Sequence, residues 1–369
     1  MSDTPLELAG GIVTVDLTAL AANYTLLAQK ASSARTAVAI KGDAYGIGLA
    51  PAARTFWTAG CRDYFVARPV EGRELRRILP DAAIYVLDGL HTGQAKFYVR
   101  HGLVPCLISL DEAQAWARDG RRRPCALHVD TGINRIGFND TEFRALLADK
   151  ALMKTLNIAL VMSHLASADA HDAPMNAKQL EHFKAYRKML PTVPASLANS
   201  SGIFLGKSYH FDLVRPGVAL YGGNPTPHKR NPMQAVATLE GVVRQVREVR
   251  KGETVGYSTT WKAPQDSRIA LVGAGYRDGV PRKLSSSKVD GPAQAFVAGK
   301  RCPIVGRVSM DMLAVDVSSL PAGKVKPGAR AELLGARIPV DEAAGWAGTI
   351  SYELLTHLGP RYARVYRGG

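Results

Sequence analysis

The chain has 369 residues, more than one ordinary core accommodates and enough for two domains, and 46% of them are hydrophobic. Lys and Arg outnumber Asp and Glu by 47 to 32, giving a formal net charge of +15, but the basic residues are dispersed along the chain without interleaved aromatics. That pattern argues against a nucleic-acid partner and for a solvated basic surface that attracts anionic metabolites. No apolar run approaches the roughly 18 residues needed to cross a bilayer, so no membrane partner is expected. "MSDTPLELAGG" lacks the basic start and apolar centre of an export signal. Cys61, Cys106, Cys125 and Cys302 show no CxxC pair or other metal-ligand spacing. A cytoplasmic protein with reduced cysteines and no metal is the expectation.

Taken in chain order, "GGIVTVD" (10–16) reads as a strand, followed by a helix over 17–29 whose face carries Leu17, Leu20, Tyr24 and Leu27, with Asp16 placed to cap it. Apolar runs then recur at 36–40, 63–68, 83–89, 104–109, 125–132, 158–165, 194–202 and 211–222. Helix-like segments at 49–59, 69–79, 110–119, 140–153 and 175–190 separate most of them. Eight strands alternating with helices predict a parallel (β/α)8 TIM-like barrel over 10–230. The weakest link is "IFLGKSYH", short for a crossover. After the proline-rich "GGNPTPHKRNPM" (222–233), closely spaced short strands predict a mainly antiparallel β domain over 236–369, which residues 1–15 join.

Active sites of such barrels lie at the C-terminal ends of the strands, and there the polar residues collect. Lys41 follows the first strand, Asp130 and Arg135 the fifth, His164 the sixth, Ser200 and Ser201 the seventh, and Arg215 lies in the eighth. A lysine delivered into a core is costly unless it is neutral, paired or covalently modified. "NSSG" (199–202) and the N–H groups of Gly217 and Val218 suit a phosphate. Together these features are what pyridoxal phosphate requires: an amine for its aldehyde, a phosphate cradle, and a partner for the ring nitrogen.

"AVAIKGDAYGIG", "HVDTGINRIGF", "SHLASAD", "NSSGIF", "RPGVALYG", "TVGYSTTW", "GAGYRDGVPR", "PIVGRVSMDM" and "SYELL" resemble, in order, motifs of the alanine racemase family, fold-type III pyridoxal phosphate enzymes. The resemblance implies interconversion of L- and D-alanine in a homodimer with shared sites. Lys41 is then the Schiff-base residue and one catalytic base, and Tyr257, supplied by the partner subunit, is the base on the opposite face. Tyr45 and Ser201 bind the cofactor phosphate, with Tyr352 nearby. His164 lies beside the ring and Arg215 at its nitrogen, where a guanidinium disfavours a second positive charge. Arg135 reaches the substrate carboxylate, and Tyr276, Met310 and Asp311 belong to the entrance and substrate loops. Two departures stand out. His128 occupies the place of a lysine that the family carbamylates, so Arg135 would be held by a bound anion such as chloride or by neutral His128 accepting its hydrogen bond. Ile133 stands where methionine is frequent. Racemisation of another small amino acid such as serine, a decarboxylase on the same barrel, and a non-enzymatic carrier of the cofactor remain the alternatives. The residues do not distinguish a biosynthetic role, supplying D-alanine as a peptidoglycan precursor, from a catabolic one.

Overall fold

A computed structural model describes residues 4–286 and 293–368. The first strand, β1 (Gly11–Asp16), leads directly into the helix Leu17–Lys30, whose first turn is capped by Asp16 accepting from the Ala19 N–H at 2.8 Å. The barrel strands follow: β2 (Arg35–Thr36), β3 (Val38–Ala39), β4 (Asp63–Val66), β5 (Ala83–Val86), β6 (Val104–Leu107), β7 (Pro124–His128), β8 (Asn157–Met162), β9 (Ala195–Ser196) and β10 (Leu213–Val214). Strands β3 to β9 form one parallel sheet in sequence order, and β10 pairs in parallel with β2. The Asp212 N–H to Ala195 C=O bond (3.0 Å) and the Arg215 N–H to Ala198 C=O bond (2.9 Å) close the ring between β9 and β10. β2 and β3 are two halves of one extended run joined at Ala37, which donates to Val214 C=O. The expected eight-stranded barrel is therefore present.

Its last two strands are shorter than the apolar runs 194–202 and 211–222 suggested. Asn199 stops the seventh by turning its side chain back onto the Gly202 N–H, and Pro216–Gly217 stop the eighth. The doubtful crossover consists of two single 3-10 turns, Gly202–Phe204 and Lys207–Tyr209. The helical pattern at 140–153 breaks in two where Asp149 ends one helix and caps the next through the Leu152 N–H. A helix at Ala95–His101 completes the alternation between β5 and β6. Inward-pointing Ala37, Phe65, Tyr85, Cys106, Leu160 and Leu213 fill the barrel, with Phe65 stacked on Tyr85 at 4.6 Å.

The second unit contains β11 (Ala237–Val249), β12 (Thr254–Val255), β13 (Trp261–Lys262), β14 (Ser267–Val272), β15 (Gln294–Val297), β16 (Lys300–Val305), β17 (Leu313–Asp316), β18 (Arg330–Leu334) and β19 (Ala363–Arg367). The long β11 shifts register between Val243 and Gln245, so one half pairs with β1 and β18 and the other with β14. The antiparallel order β14-β17-β16-β15-β18-β11 thereby closes on itself. β1 is added to β11, and β19 runs parallel to β1, so the chain's two ends are laced into this unit. Two further helices, Val340–Ala347 and Ser351–Thr356, carry its surface toward the barrel. Among the described residues no helix is long and apolar enough to cross a membrane.

Candidate active site

At the C-terminal strand ends a cavity of about 640 Å³ opens, lined among others by Lys41, Tyr45, Arg135, His164, Arg215 and Tyr352. Lys41 is not sealed in the core as its sequence context suggested. Its side chain reaches solvent through the cavity mouth, while the walls strip away enough hydration to lower its pKa, helped by Arg135 and opposed by Glu71. Behind it the backbone reverses hand. Gly42, Asp43, Ala44 and Tyr45 have φ of 65°, 53°, 56° and 53°, a left-handed turn held by the Gly46 N–H on Gly42 C=O at 2.9 Å. This turn sends Lys41 and Tyr45 to the same cavity. Glu71, which sequence reading passed over, fixes its start by accepting the Gly42 N–H at 2.8 Å and, through its other oxygen, the N–H groups of Ala67 and Arg68.

Tyr45 is buried and stacks on Tyr221 at 4.5 Å, and burial raises its phenol far above the usual range. Its hydroxyl passes so close to Gly217 that a Cβ there would sit 2.3 Å away, so glycine is required at that position. The Gly217 N–H is not free for an anion, because it donates to Ser200 Oγ at 2.9 Å. Val218 lines the cavity, and its N–H has no acceptor among the described residues. Ser200 and Ser201 are both buried, Ser200 in the cavity wall and Ser201 immediately ahead of the turn Gly202–Phe204.

Arg215 is buried and pairs with no carboxylate among the described residues. Its guanidinium donates to Ser196 Oγ and the Ser163 carbonyl and lies 5.7 Å above the Phe65 ring. Burial pulls its pKa down to about 10. His164 is kept neutral by burial and by the guanidinium of Arg215. Its backbone is held by buried Gln179, whose Nε2 donates to His164 C=O at 2.9 Å and whose Oε1 accepts from the Ala166 N–H at 2.8 Å. Nothing in the sequence of the helix Pro174–Met189 singles this residue out, because its burial and its partners exist only in the fold.

Asp130 shapes the next loop by accepting the N–H groups of Gly132, Ile133 and Asn134 at 2.8, 3.0 and 3.2 Å, which presents Arg135 at the mouth. Arg135 makes no ion pair or hydrogen bond among the described residues. The bond expected from it to His128 is absent: both His128 ring nitrogens are buried without a partner, and burial, with Arg215 and Arg135, lowers that imidazole to about 3.

Tyr257 lies elsewhere. It is 70% exposed, in the single turn Tyr257–Thr259, beside a separate cleft lined by Arg307, Ser309 and Met312. Tyr276 and Met310 are also largely exposed, and their loops are tied through the Tyr276 N–H to Ser309 C=O and the Arg277 N–H to Met310 C=O, both at 3.0 Å. Arg361 braces both loops, bidentate to buried Asp278 at 2.6 and 2.8 Å and bonded to Asp311 at 2.8 Å.

A lysine, a guanidinium unpaired among the described residues and a backbone cradle at the C-terminal end of a TIM-like barrel, joined to a closed β domain, define a barrel enzyme of the group-transfer or isomerase kind whose ligands carry carboxylate or phosphate groups. The chain matches "Alanine racemase, N-terminal domain" over residues 15–225 and "Alanine racemase, C-terminal domain" over 236–366. It is 47% identical to an alanine racemase of Methylobacterium nodulans over 364 residues, 98% of this chain and 97% of that one. It is 44% identical to one of Rhizobium meliloti, with 98% of each chain covered. The crystal structure of alanine racemase from Bartonella henselae with covalently bound pyridoxal phosphate superposes with a TM-score of 0.91 at 35% identity, covering 97% of this chain and all of that one. Biosynthetic alanine racemase from Pseudomonas aeruginosa gives 0.89 at 32%, covering 98% of this chain and 100% of that one. The chain belongs to the alanine racemase family.

Proposed function

We propose that this protein interconverts L- and D-alanine on pyridoxal phosphate, with Lys41 and Tyr257 as opposite-face bases. The observation that carries the assignment is the convergence of Lys41, Tyr45, Arg135, His164 and Arg215 on one cavity beside the free Val218 N–H. These groups fit the cofactor. The Val218 N–H, the Ser200 and Ser201 hydroxyls and Tyr45 would hold its phosphate around Gly217, with Tyr352 beside them. Arg215 would face its ring nitrogen, His164 its ring, and Lys41 would carry it covalently.

When bound, pyridoxal phosphate supplies an electron sink that acidifies the substrate α-carbon. The chain does the rest. Arg135, lacking an internal partner, takes the substrate carboxylate, and a bound anion such as chloride would steady it, since His128 does not. Arg215 presents a guanidinium that disfavours a second positive charge, so the carbanionic charge stays shallow and a proton returns quickly. Lys41, its pKa already lowered, exchanges the proton on one face. No single group reaches both faces. The exposed placement of Tyr257, with Tyr276, Met310 and Asp311 on loops beside it, favours a head-to-tail homodimer in which each β domain completes the other copy's mouth.

The four buried cysteines, all free thiols, support a cytoplasmic location. The assignment is tested by following α-deuterium exchange and optical rotation on L- and D-alanine, with serine as comparator. Exchange on both alanine enantiomers is expected. Carbon dioxide release in its place would overturn the assignment.

A further inference from the structure

Basic residues that are dispersed in sequence are gathered by the fold. The helix ends and loops leading into the eight barrel strands (28–36, 59–63, 76–83, 100–104, 118–124, 149–157, 187–195 and 207–213) hold fifteen Lys and Arg against five Asp and Glu, two thirds of the net +15. In a parallel barrel all eight segments lie at one end, opposite the cavity. Cross-contacts show them side by side: Arg76 Nη2 donates to Gly102 C=O at 2.8 Å, Arg122 Nη2 to Lys154 C=O at 3.1 Å, and Arg35 pairs with Asp63 at 2.7 Å.

Helix dipoles favour cations in a last turn, which accounts for residues such as Lys30, Arg77 and Lys188. They do not account for Arg62, Arg121, Arg123 and Lys207, which lie outside any last turn of an α-helix. The side chains of Arg77, Arg100, Arg121, Arg123 and Lys207 are exposed and make no ion pair or hydrogen bond among the described residues.

We propose that this floor of the barrel is a docking face for an anionic bilayer surface. The charges encircle the barrel end and do not follow a line, so a planar array of head groups meets all of them, whereas a nucleic-acid strand meets only a strip. None of the exposed large apolar side chains among the described residues falls in these segments, so the floor offers bases no stacking platform and a bilayer no inserting wedge. Binding is therefore interfacial, reversible and sensitive to salt. The floor faces away from the mouth and stays open when a second copy covers the cavity. The expectation of no membrane partner rested on the lack of a spanning segment, which says nothing about a surface assembled from eight separate loops.

The test is cosedimentation of the full, cofactor-loaded protein with vesicles of phosphatidylcholine, alone or mixed with phosphatidylglycerol, at low and high salt. Binding only to the anionic vesicles, and its loss at high salt, is expected. Each basic residue at such a surface is worth about fivefold in partitioning. A variant combining Arg77→Glu, Arg100→Glu and Arg123→Glu should therefore lose more than about a hundredfold. A control with Arg250→Glu, Lys324→Glu and Lys326→Glu, the same charge change on exposed positions of the β domain, should bind like the parent. Unchanged racemase turnover in both variants reports that both are folded. Equal loss in the control, binding without phosphatidylglycerol, or retention of duplex DNA with no vesicle binding would each overturn the proposal.

Discussion

The mouth of the barrel and the Tyr257 edge of the β domain are built on opposite plans. At the mouth most of the functional elements are braced by a neighbour, Arg215 by Ser196, the His164 backbone by Gln179 and the Lys41 turn by Glu71, while the Arg135 side chain alone among them is left to a ligand. At the edge, Tyr257, Tyr276 and Met310 stand in solvent on loops fixed mainly through backbone bonds and the Arg361 brace. A preorganised half and an exposed half within one chain are what the proposed head-to-tail dimer requires, in which contact with another copy would finish the second half.

The sharpest way to break this contrast is to disable each half separately. Lys41→Ala should lower racemisation by at least about 10⁴-fold, the upper range for a positioned acid–base group. Tyr257→Phe should also be severely impaired. Mixing the two inactive proteins under subunit exchange should restore about a quarter of wild-type turnover, because half the dimers are mixed and each then holds one intact site. No recovery would mean that each chain uses its own tyrosine.

Arg215→Glu probes the braced half alone. It should keep the cofactor, racemise about a hundredfold more slowly, consistent with loss of one preorganised charged contact, and transaminate more. Amino-group transfer is followed by loss of the absorbance of the cofactor aldehyde, and unchanged racemase turnover would refute the role. Asp278→Ala probes the exposed half. It strands the Gly275 N–H and releases Arg361, with an expected loss of about 2 kcal/mol in urea unfolding and a raised KM for alanine.

The smallest effect concerns pH. The folded chain keeps His128 neutral, with its pKa near 3 against 6.5 in an unfolded chain, so the unfolded state takes up a proton that the folded state refuses. His128's contribution is therefore complete above about pH 6.5 and is lost progressively as pH falls toward 3. His128→Gln should flatten the decline in urea stability between neutral and mildly acid solution. An unaltered slope would place the dependence on His164, which burial and neighbouring cations also hold neutral.

The alternation of apolar runs and helix patterns made the barrel legible, because strands buried on both faces and amphipathic helices leave different periods in a sequence. Lys41, His164 and Arg215 were legible for the same reason, as polar residues at or near the ends of apolar strands. Gln179, Ser196 and Glu71 were not, since bracing is a matter of contacts between residues far apart in sequence. The internal role of Ser200 in "NSSG" was also hidden: the turn aims its hydroxyl at the Gly217 and Ala219 N–H groups, a contact between two separate loops. The basic floor escaped notice because charge is clustered by topology, not by proximity along the chain.

The left-handed turn after Lys41 has an energetic corollary. Three non-glycine residues in that conformation cost about 1–2 kcal/mol each, so the segment bearing the reactive amine is a coiled spring that the rest of the barrel keeps compressed. A group gripped by both ends of that spring, at Lys41 and at Tyr45, would oppose its release, so occupancy by vitamin B6 should raise the resistance of this loop to local opening.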